Sequence, residues 1–248
     1  MTLPMSTDLP PIVAHRGWAA RYPENSLAAI EAAIWLGLRH VEFDVQLTAD
    51  GVPVLFHDVS LERITGQPGR ILDVEWADLS RRSTGEPGRL GQRFPRIRPA
   101  TLMDAASLLS RHPGVTAFVE IKPESLVHFG IHTVWEACRL PVLRMPRPVI
   151  TSFDSGLLEQ LKSGHRIAWV LPEYTEATLA AARRLAPQYL FCNVKRLPAG
   201  PLPTGTWEWA IYEIRSAAQA LELGERGVGL VETMDPAALL KRLGAAER

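Results

Sequence analysis

The chain has 248 residues, its 27 Lys and Arg balance its 27 Asp and Glu, and the formal net charge is +0. That length supports one or two domains with a large buried core, and the even charge balance argues against a general nucleic-acid or membrane-surface binder. Two cysteines, Cys138 and Cys192, in apolar surroundings imply no disulfide framework. No apolar run approaches the roughly 20 residues that span a bilayer, and the opening MTLPMSTDLPP lacks the basic-then-apolar pattern of a signal peptide. A cytoplasmic, enzyme-like domain is the expectation.

In chain order, Ile12 to Arg16 is a short apolar run ending in charge, which predicts a strand with polar residues at its exit. Pro23-Glu24-Asn25-Ser26 then opens a helix, capped by Asn25 or Ser26, with Leu27, Ile30, Ile34 and Leu38 at helical spacing. Arg39 to Asp58 reads RHVEFDVQLTADGVPVLFHD. On a strand, Glu42 and Asp44 share one face and Val41, Phe43 and Val45 the other. Thr48-Ala49-Asp50-Gly51 is a turn signal, so Val52 to Phe56 is a returning strand that carries His57-Asp58 back toward the acids. Two carboxylates facing a core need a cation, from the protein or from solution.

Residues 59–99 break the pattern. They are rich in Gly, Pro and Arg, carry eight arginines against five acids, and show one helical piece around Glu75 to Leu79. They predict an irregular insertion without a core of its own, either a solvated loop or a cover over an anion site. Alternation then resumes, with strands at Thr116 to Ile121, Val149 to Phe153, Arg166 to Leu171, Tyr189 to Val194, Trp207 to Ile214 and Gly229 to Glu232. Helices are expected at Leu102 to Ser110, Val127 to Cys138, Gly156 to Lys162, Glu176 to Leu185, Ala217 to Leu223 and Pro236 to Leu243. The link from Lys195 to Thr206 has three prolines and no helical period, so one crossover helix is missing.

Setting the hairpin return aside leaves eight strands, parallel by the alternation rule. Eight parallel strands with helices outside predict a TIM (β/α)8 barrel, a single domain over residues 1–248 with a short insertion after a hairpin that follows strand 2. An open doubly wound sheet would need a Gly-rich phosphate loop after an early strand, and none is present.

In a barrel, functional residues sit at the carboxyl ends of the strands. Those ends offer His15 and Arg16, Glu42 and Asp44, His57 and Asp58, Glu120 and Lys122, then Ser152 and Phe153. Three carboxylates are the ligand type of hard divalent cations. Two histidines can divide the work of base and acid, and Arg16 with Lys122 suits an anionic group. Phe153 and Trp209 are candidate walls for a substrate. These parts suit displacement at phosphorus. No Gly-x-Ser-x-Gly elbow and no Walker loop appear. The other histidines, at 40, 112, 128, 132 and 165, have no ligand-like company.

The ordered set His15-Arg16-Gly17, Pro23-Glu24-Asn25-Ser26, Glu42-x-Asp44, Thr48-x-Asp50-Gly51, His57-Asp58 with Leu61, Arg63, Thr65 and Gly66, and Glu120-x-Lys122 resembles the glycerophosphodiester phosphodiesterase family. The resemblance implies a TIM barrel with Glu42, Asp44 and Glu120 as metal ligands. It implies His15 and His57 as the acid-base pair and Arg16 and Lys122 as phosphate contacts. It further implies hydrolysis of a glycerophosphodiester to sn-glycerol 3-phosphate and an alcohol with Mg²⁺ or Ca²⁺. The small-molecule diester is the expected partner, with no nucleic acid and no stable membrane insertion. Trp209-Ala210-Ile211-Tyr212 stands where the family often has Trp-Thr-Val-Asn, and Thr233-Met234-Asp235-Pro236 where it has Thr-Asp-x-Pro. The alternatives are a lipid phosphodiesterase, phospholipase C-like or D-like, on the same barrel, or a silent phosphodiester-binding protein.

Overall fold

The computed structural model describes residues 9–241. Eight parallel strands form a closed barrel: β1 (Ile12–Ala14), β2 (His40–Leu47), β4 (Thr116–Ile121), β5 (Pro148–Ser152), β6 (Ile167–Val170), β7 (Tyr189–Asn193), β8 (Glu208–Tyr212) and β9 (Leu230–Thr233). β3 (Pro53–Leu55) is the hairpin return and runs antiparallel to β2, with Val45 opposite Leu55. The two neighbours of β2 divide its length. Val13 and Ala14 of β1 meet His40 and Val41 near its start, and β3 covers Val45 to Leu47 beyond the point where β1 has ended. β9 closes the ring on β1, with Val13 beside Glu232.

The side-chain period of two sorts the strands. Val41, Phe43 and Val45 point outward into the layer between barrel and helices. The inner face is apolar at the bottom, where Phe118 meets Tyr189 and Phe191 edge-on at 5.0 and 5.2 Å between ring centres. Two residues further along β4 the inward position is Glu120. The barrel is therefore plugged below by aromatic rings and charged above them, at its carboxyl-terminal mouth.

The outer layer contains α1 (Leu27–Trp35), α5 (Leu102–Leu109), α6 (Pro123–Phe129), α7 (Ile131–Arg144), α8 (Ser155–Leu161), α9 (Glu176–Leu185), α10 (Ala217–Glu225) and α11 (Pro236–Lys241). Ser26 caps α1 by accepting from the Ala29 N–H. Thr101 and Asp104 form a reciprocal capping box on α5. The helix expected at Val127 to Cys138 is two helices, because Gly130 at φ +84° breaks the run between α6 and α7. Between β7 and β8 there is only a 3₁₀ turn, Val194–Arg196, as the three prolines there predict. The expected end of the last helix, at 242 and 243, lies outside the described residues, as do the first eight residues of the chain.

The insertion differs from expectation. It holds three four-residue helices, α2 (Glu62–Thr65), α3 (Trp76–Leu79) and α4 (Pro87–Leu90). It also buries an apolar cluster of its own, including Leu61, Ile64, Ile71 and Leu79 with Val54 and Phe56 of the hairpin. Helices of one turn leave no period to read in sequence. The cluster fastens the insertion to the hairpin that carries His57.

Candidate active site

The chain leaves β1 through a strained turn. Arg16 at φ +56° and Gly17 at φ +74° are both left-handed. A Cβ on Gly17 would lie 2.5 Å from the Ala29 carbonyl carbon, so only glycine fits. This turn aims the Arg16 N–H at Glu42 Oε2, 2.9 Å away, and its guanidinium at Glu24 Oε1, 2.8 Å away. Arg16 Nε lies 3.1 Å from Asp44 Oδ2, a charge pairing without hydrogen-bond alignment. Asn25, also left-handed at φ +54°, clasps Asp44 from both sides. Its Nδ2 donates to Asp44 Oδ2 at 2.9 Å, and its Oδ1 accepts from the Asp44 N–H at 3.0 Å. The loop after β1 is thus tied to the middle of β2.

Glu42, Asp44 and Glu120 converge, each offering an oxygen, all within 4.8 Å of one another. Lys122 Nζ lies 2.7 Å from Glu120 and 3.4 Å from Asp44. Burial opposes ionisation of Asp44, but Arg16 and Lys122 outweigh it and hold its carboxyl well below the usual range. Glu42 and Glu120 move the other way. Burial raises both, and the neighbouring Asp44 charge adds to it. Glu42 Oε1 is buried with no hydrogen-bond partner. An all-oxygen set with an orphaned carboxylate oxygen and mutual repulsion fits a hard divalent cation.

The hairpin delivers His57 to the same place. Its Nδ1 lies 2.6 Å from Asp58 Oδ1. Asp58 resists burial because Arg63 and His57 hold its carboxyl down to about 2, so it accepts and His57 Nδ1 donates. Nε2 is left free. Arg63 binds Asp58 on one side and Glu24 on the other, at 2.6–3.0 Å. His15 faces Glu42, Nε2 to Oε2 3.8 Å. Burial and the adjacent Arg16 push its imidazole down to about 3, so it is neutral at ordinary pH.

Seven of these side chains line one cavity of about 310 Å³, while Glu24, Asn25, Asp58 and Arg63 stand behind them. His15, Arg16, Glu42, Asp44, His57, Glu120 and Lys122 are all in its wall, and so is Phe153, whose ring lies 5.9 Å from Lys122 Nζ. Trp209 is not. It is 4% exposed, packs outward against Trp207 and Tyr174, and donates its indole N–H to the Pro203 carbonyl. The alternation along β8 turns it away from the mouth and turns Tyr212 in. The insertion contributes no wall residue. Its arginines are used elsewhere, Arg63 on Glu24 and Asp58, Arg89 on Glu86 and on the Ala19 and Tyr22 carbonyls. Three acids went unremarked in the sequence. Glu86 is buried and accepts the Glu24 N–H at 2.6 Å, whereas Glu213 and Glu232 line the cavity. Glu232 had a readable signal, an acid at the inward end of a barrel strand. Glu86 sits in a loop and had none.

Residues 15–136 match the model of the Glycerophosphoryl diester phosphodiesterase family, a stretch that holds His15, His57, Glu42, Asp44, Glu120, Arg16 and Lys122 of the cavity but not Glu213 or Glu232. Over that stretch the chain is similar to this family. Glycerophosphodiester phosphodiesterase 1 of Mus musculus is 39% identical over 110 residues, 44% of this chain and 33% of its own. The glycerophosphodiester phosphodiesterase of Caldanaerobacter subterraneus subsp. tengcongensis is 30% identical over 151 residues, 61% of either chain. The matches thus span from a third to about three fifths of these relatives' lengths. Among solved structures, a phosphodiesterase of Oleispira antarctica, in complex with the product sn-glycerol-3-phosphate, superposes with a TM-score of 0.81 at 25% identity. That match covers 95% of this chain and 97% of the other. A glycerophosphoryl diester phosphodiesterase fold from Silicibacter pomeroyi gives the same TM-score at 22% identity, over 97% and 95% of the chains.

Proposed function

We propose that this chain is a glycerophosphodiester phosphodiesterase that hydrolyses glycerophosphodiesters to sn-glycerol 3-phosphate and an alcohol. The observation that carries the reading is the convergence of three carboxylates, two cations and two imidazoles on one cavity. Glu42, Asp44 and Glu120 would hold the divalent cation, Mg²⁺ or Ca²⁺, which when bound polarises a phosphoryl oxygen. Arg16 and Lys122 orient the phosphodiester and offset charge that grows on its oxygens. His15, held neutral, takes a proton from the attacking hydroxyl; attack by a water gives glycerol 3-phosphate directly, whereas attack by the neighbouring glycerol hydroxyl gives a cyclic phosphate that a water then opens to the same product. His57, braced by Asp58, gives a proton to the departing alcohol. Phe153 flanks the site beside Lys122. The chain works as one domain with residues 59–99 as an insertion, in cytoplasmic glycerol and lipid metabolism, without nucleic-acid partners or stable membrane insertion. No helix among the described residues is long and apolar enough to cross a membrane.

One observation favours a second reading, action on a lysophospholipid. A further cavity of about 340 Å³ adjoins His15 and Arg16 and is lined by Ile214, Met234, Ala238 and Leu239. Met234 is 40% exposed. An acyl chain would fit such a wall. Product analysis separates the readings. Glycerophosphocholine and glycerophosphoethanolamine should yield glycerol 3-phosphate and the free alcohol, with activity lost in EDTA and restored by Mg²⁺ or Ca²⁺. Turnover undiminished in EDTA, or release of phosphocholine, sinks the main proposal. Preferential cleavage of lysophosphatidylcholine would favour the second.

A further inference from the structure

Resting on that reading of the cavity, we propose that His15, Glu42 and Glu232 form a second cation site, suited to a borderline ion such as Zn²⁺, whose occupancy switches the enzyme off. The distribution of partners among the acids leads there. Asp44 has Asn25, Arg16 and Lys122, and Glu120 has Lys122. Glu42 takes the Arg16 N–H on one oxygen and has nothing on the other. Glu232, on the closing strand β9, is 3% exposed, lines the cavity, and its Oε1 has no hydrogen-bond partner. The protein's own cations thus serve the β2–β4 side of the mouth. Glu42 on β2 and Glu232 on β9, which flank β1, each hold an unpartnered carboxylate oxygen withheld from bulk water. Leaving such oxygens unsatisfied is costly.

The donors match a particular ion. His15, Glu42 and Glu232 each offer one atom, all within 4.8 Å of one another, with His15 Nε2 already 3.8 Å from Glu42 Oε2. Zn²⁺ bonds of about 2.0–2.2 Å hold donors roughly 3–3.6 Å apart, a distance reached by small side-chain rotations. One imidazole nitrogen with two carboxylates is a zinc-like set. The neighbouring Glu42, Asp44 and Glu120 set is all oxygen and suits Mg²⁺ or Ca²⁺. Glu42 belongs to both and would bridge them. The functional consequence follows from His15. An imidazole whose lone pair is given to a metal cannot accept a proton, so the second ion removes the base that the reaction uses.

The test titrates Zn²⁺ into the Mg²⁺-loaded protein, following glycerophosphocholine hydrolysis together with Zn²⁺ bound at equilibrium dialysis. In the wild type, activity should fall as one Zn²⁺ binds per chain while Mg²⁺ is retained. Glu232→Gln should hydrolyse the diester in zinc-free buffer, need at least tenfold more Zn²⁺ for inhibition, and lose the tightly bound equivalent. Equal zinc sensitivity and equal zinc binding in the two proteins would overturn the proposal, because displacement of Mg²⁺ from the first set does not involve Glu232. Should the variant fail to fold, anomalous diffraction from zinc-soaked wild-type crystals decides. A peak between His15 and Glu232 supports the site, and a peak confined to Glu42, Asp44 and Glu120 refutes it. The dialysis arm reads the site even if the diester proves not to be the substrate, and zinc-free turnover reads the activity even if the second site is absent.

Discussion

His57→Gln is expected to slow hydrolysis of glycerophosphocholine by about 10²- to 10⁴-fold, while a p-nitrophenyl glycerophosphodiester loses far less. Choline is a poor leaving group that needs a proton as it departs, whereas nitrophenolate leaves unaided. His57 is built to supply that proton. Its Nδ1 is committed to Asp58, itself secured by two bonds from Arg63, and this bracing supports a ring that must carry and release charge at Nε2. His15 is the opposite case, half-buried and held neutral beside Arg16. His15→Gln should therefore reduce turnover of both substrates to a similar degree. The comparison is made on kcat/KM for the two esters with each variant. Equal losses for both variants on both esters would show that the roles are not divided in this way.

Glu42→Gln should lower kcat/KM by a thousandfold or more, about 4 kcal/mol of transition-state stabilisation, and yet raise the melting temperature of the metal-free protein. Both effects have one origin. Glu42 is a buried carboxylate crowded by Asp44, Glu120 and Glu232, and without a cation that crowding is a liability. Glutamine keeps an oxygen to accept the Arg16 N–H and removes the charge. It also removes a ligand, so Mg²⁺ affinity by calorimetry should fall in parallel. Such an exchange of function for stability is what a preorganised charged site predicts. A variant that is less stable than the metal-free wild type would mean that the repulsion is already relieved by other groups.

Much of this was legible in the sequence, because the strand period carries face as well as position. Glu42 with Asp44, and Glu120 with Lys122, could be placed on a common inner face from spacing alone. The turn Thr48 to Gly51 was enough to bring His57 back to them. The same rule, applied strictly, also excludes Trp209: on β8 it alternates with Ala210 and Tyr212, which face inward. What could not be read is of another kind. The use of Arg63 by Glu24 and Asp58, or of Arg89 by Glu86, depends on where an irregular loop folds back. Local patterns do not encode such distant pairings. The basic excess of residues 59–99 suggested a cover for an anion, whereas Arg63 and Arg89 meet the chain's own buried acids.

The split partnership of β2 also bears on how the chain reaches this state. Val45 pairs with Leu55 only ten positions on, while closing the ring requires Ile12 to find Val231 near the far end of the described chain. Loop-closure entropy grows with separation, and long-range parallel pairing is slow to form. The hairpin can therefore assemble early and hold Asp44 beside the arm that bears His57, well before β9 brings Glu232 up to β1. Pulse-labelled hydrogen exchange during refolding should find the Phe56 N–H, which donates to Asp44, protected ahead of the Val231 N–H, which donates to Pro11. The reverse order would place ring closure first. In the expected order the His57 half of the acid-base pair is in place early, and the β1–β9 wall beside His15 is set last.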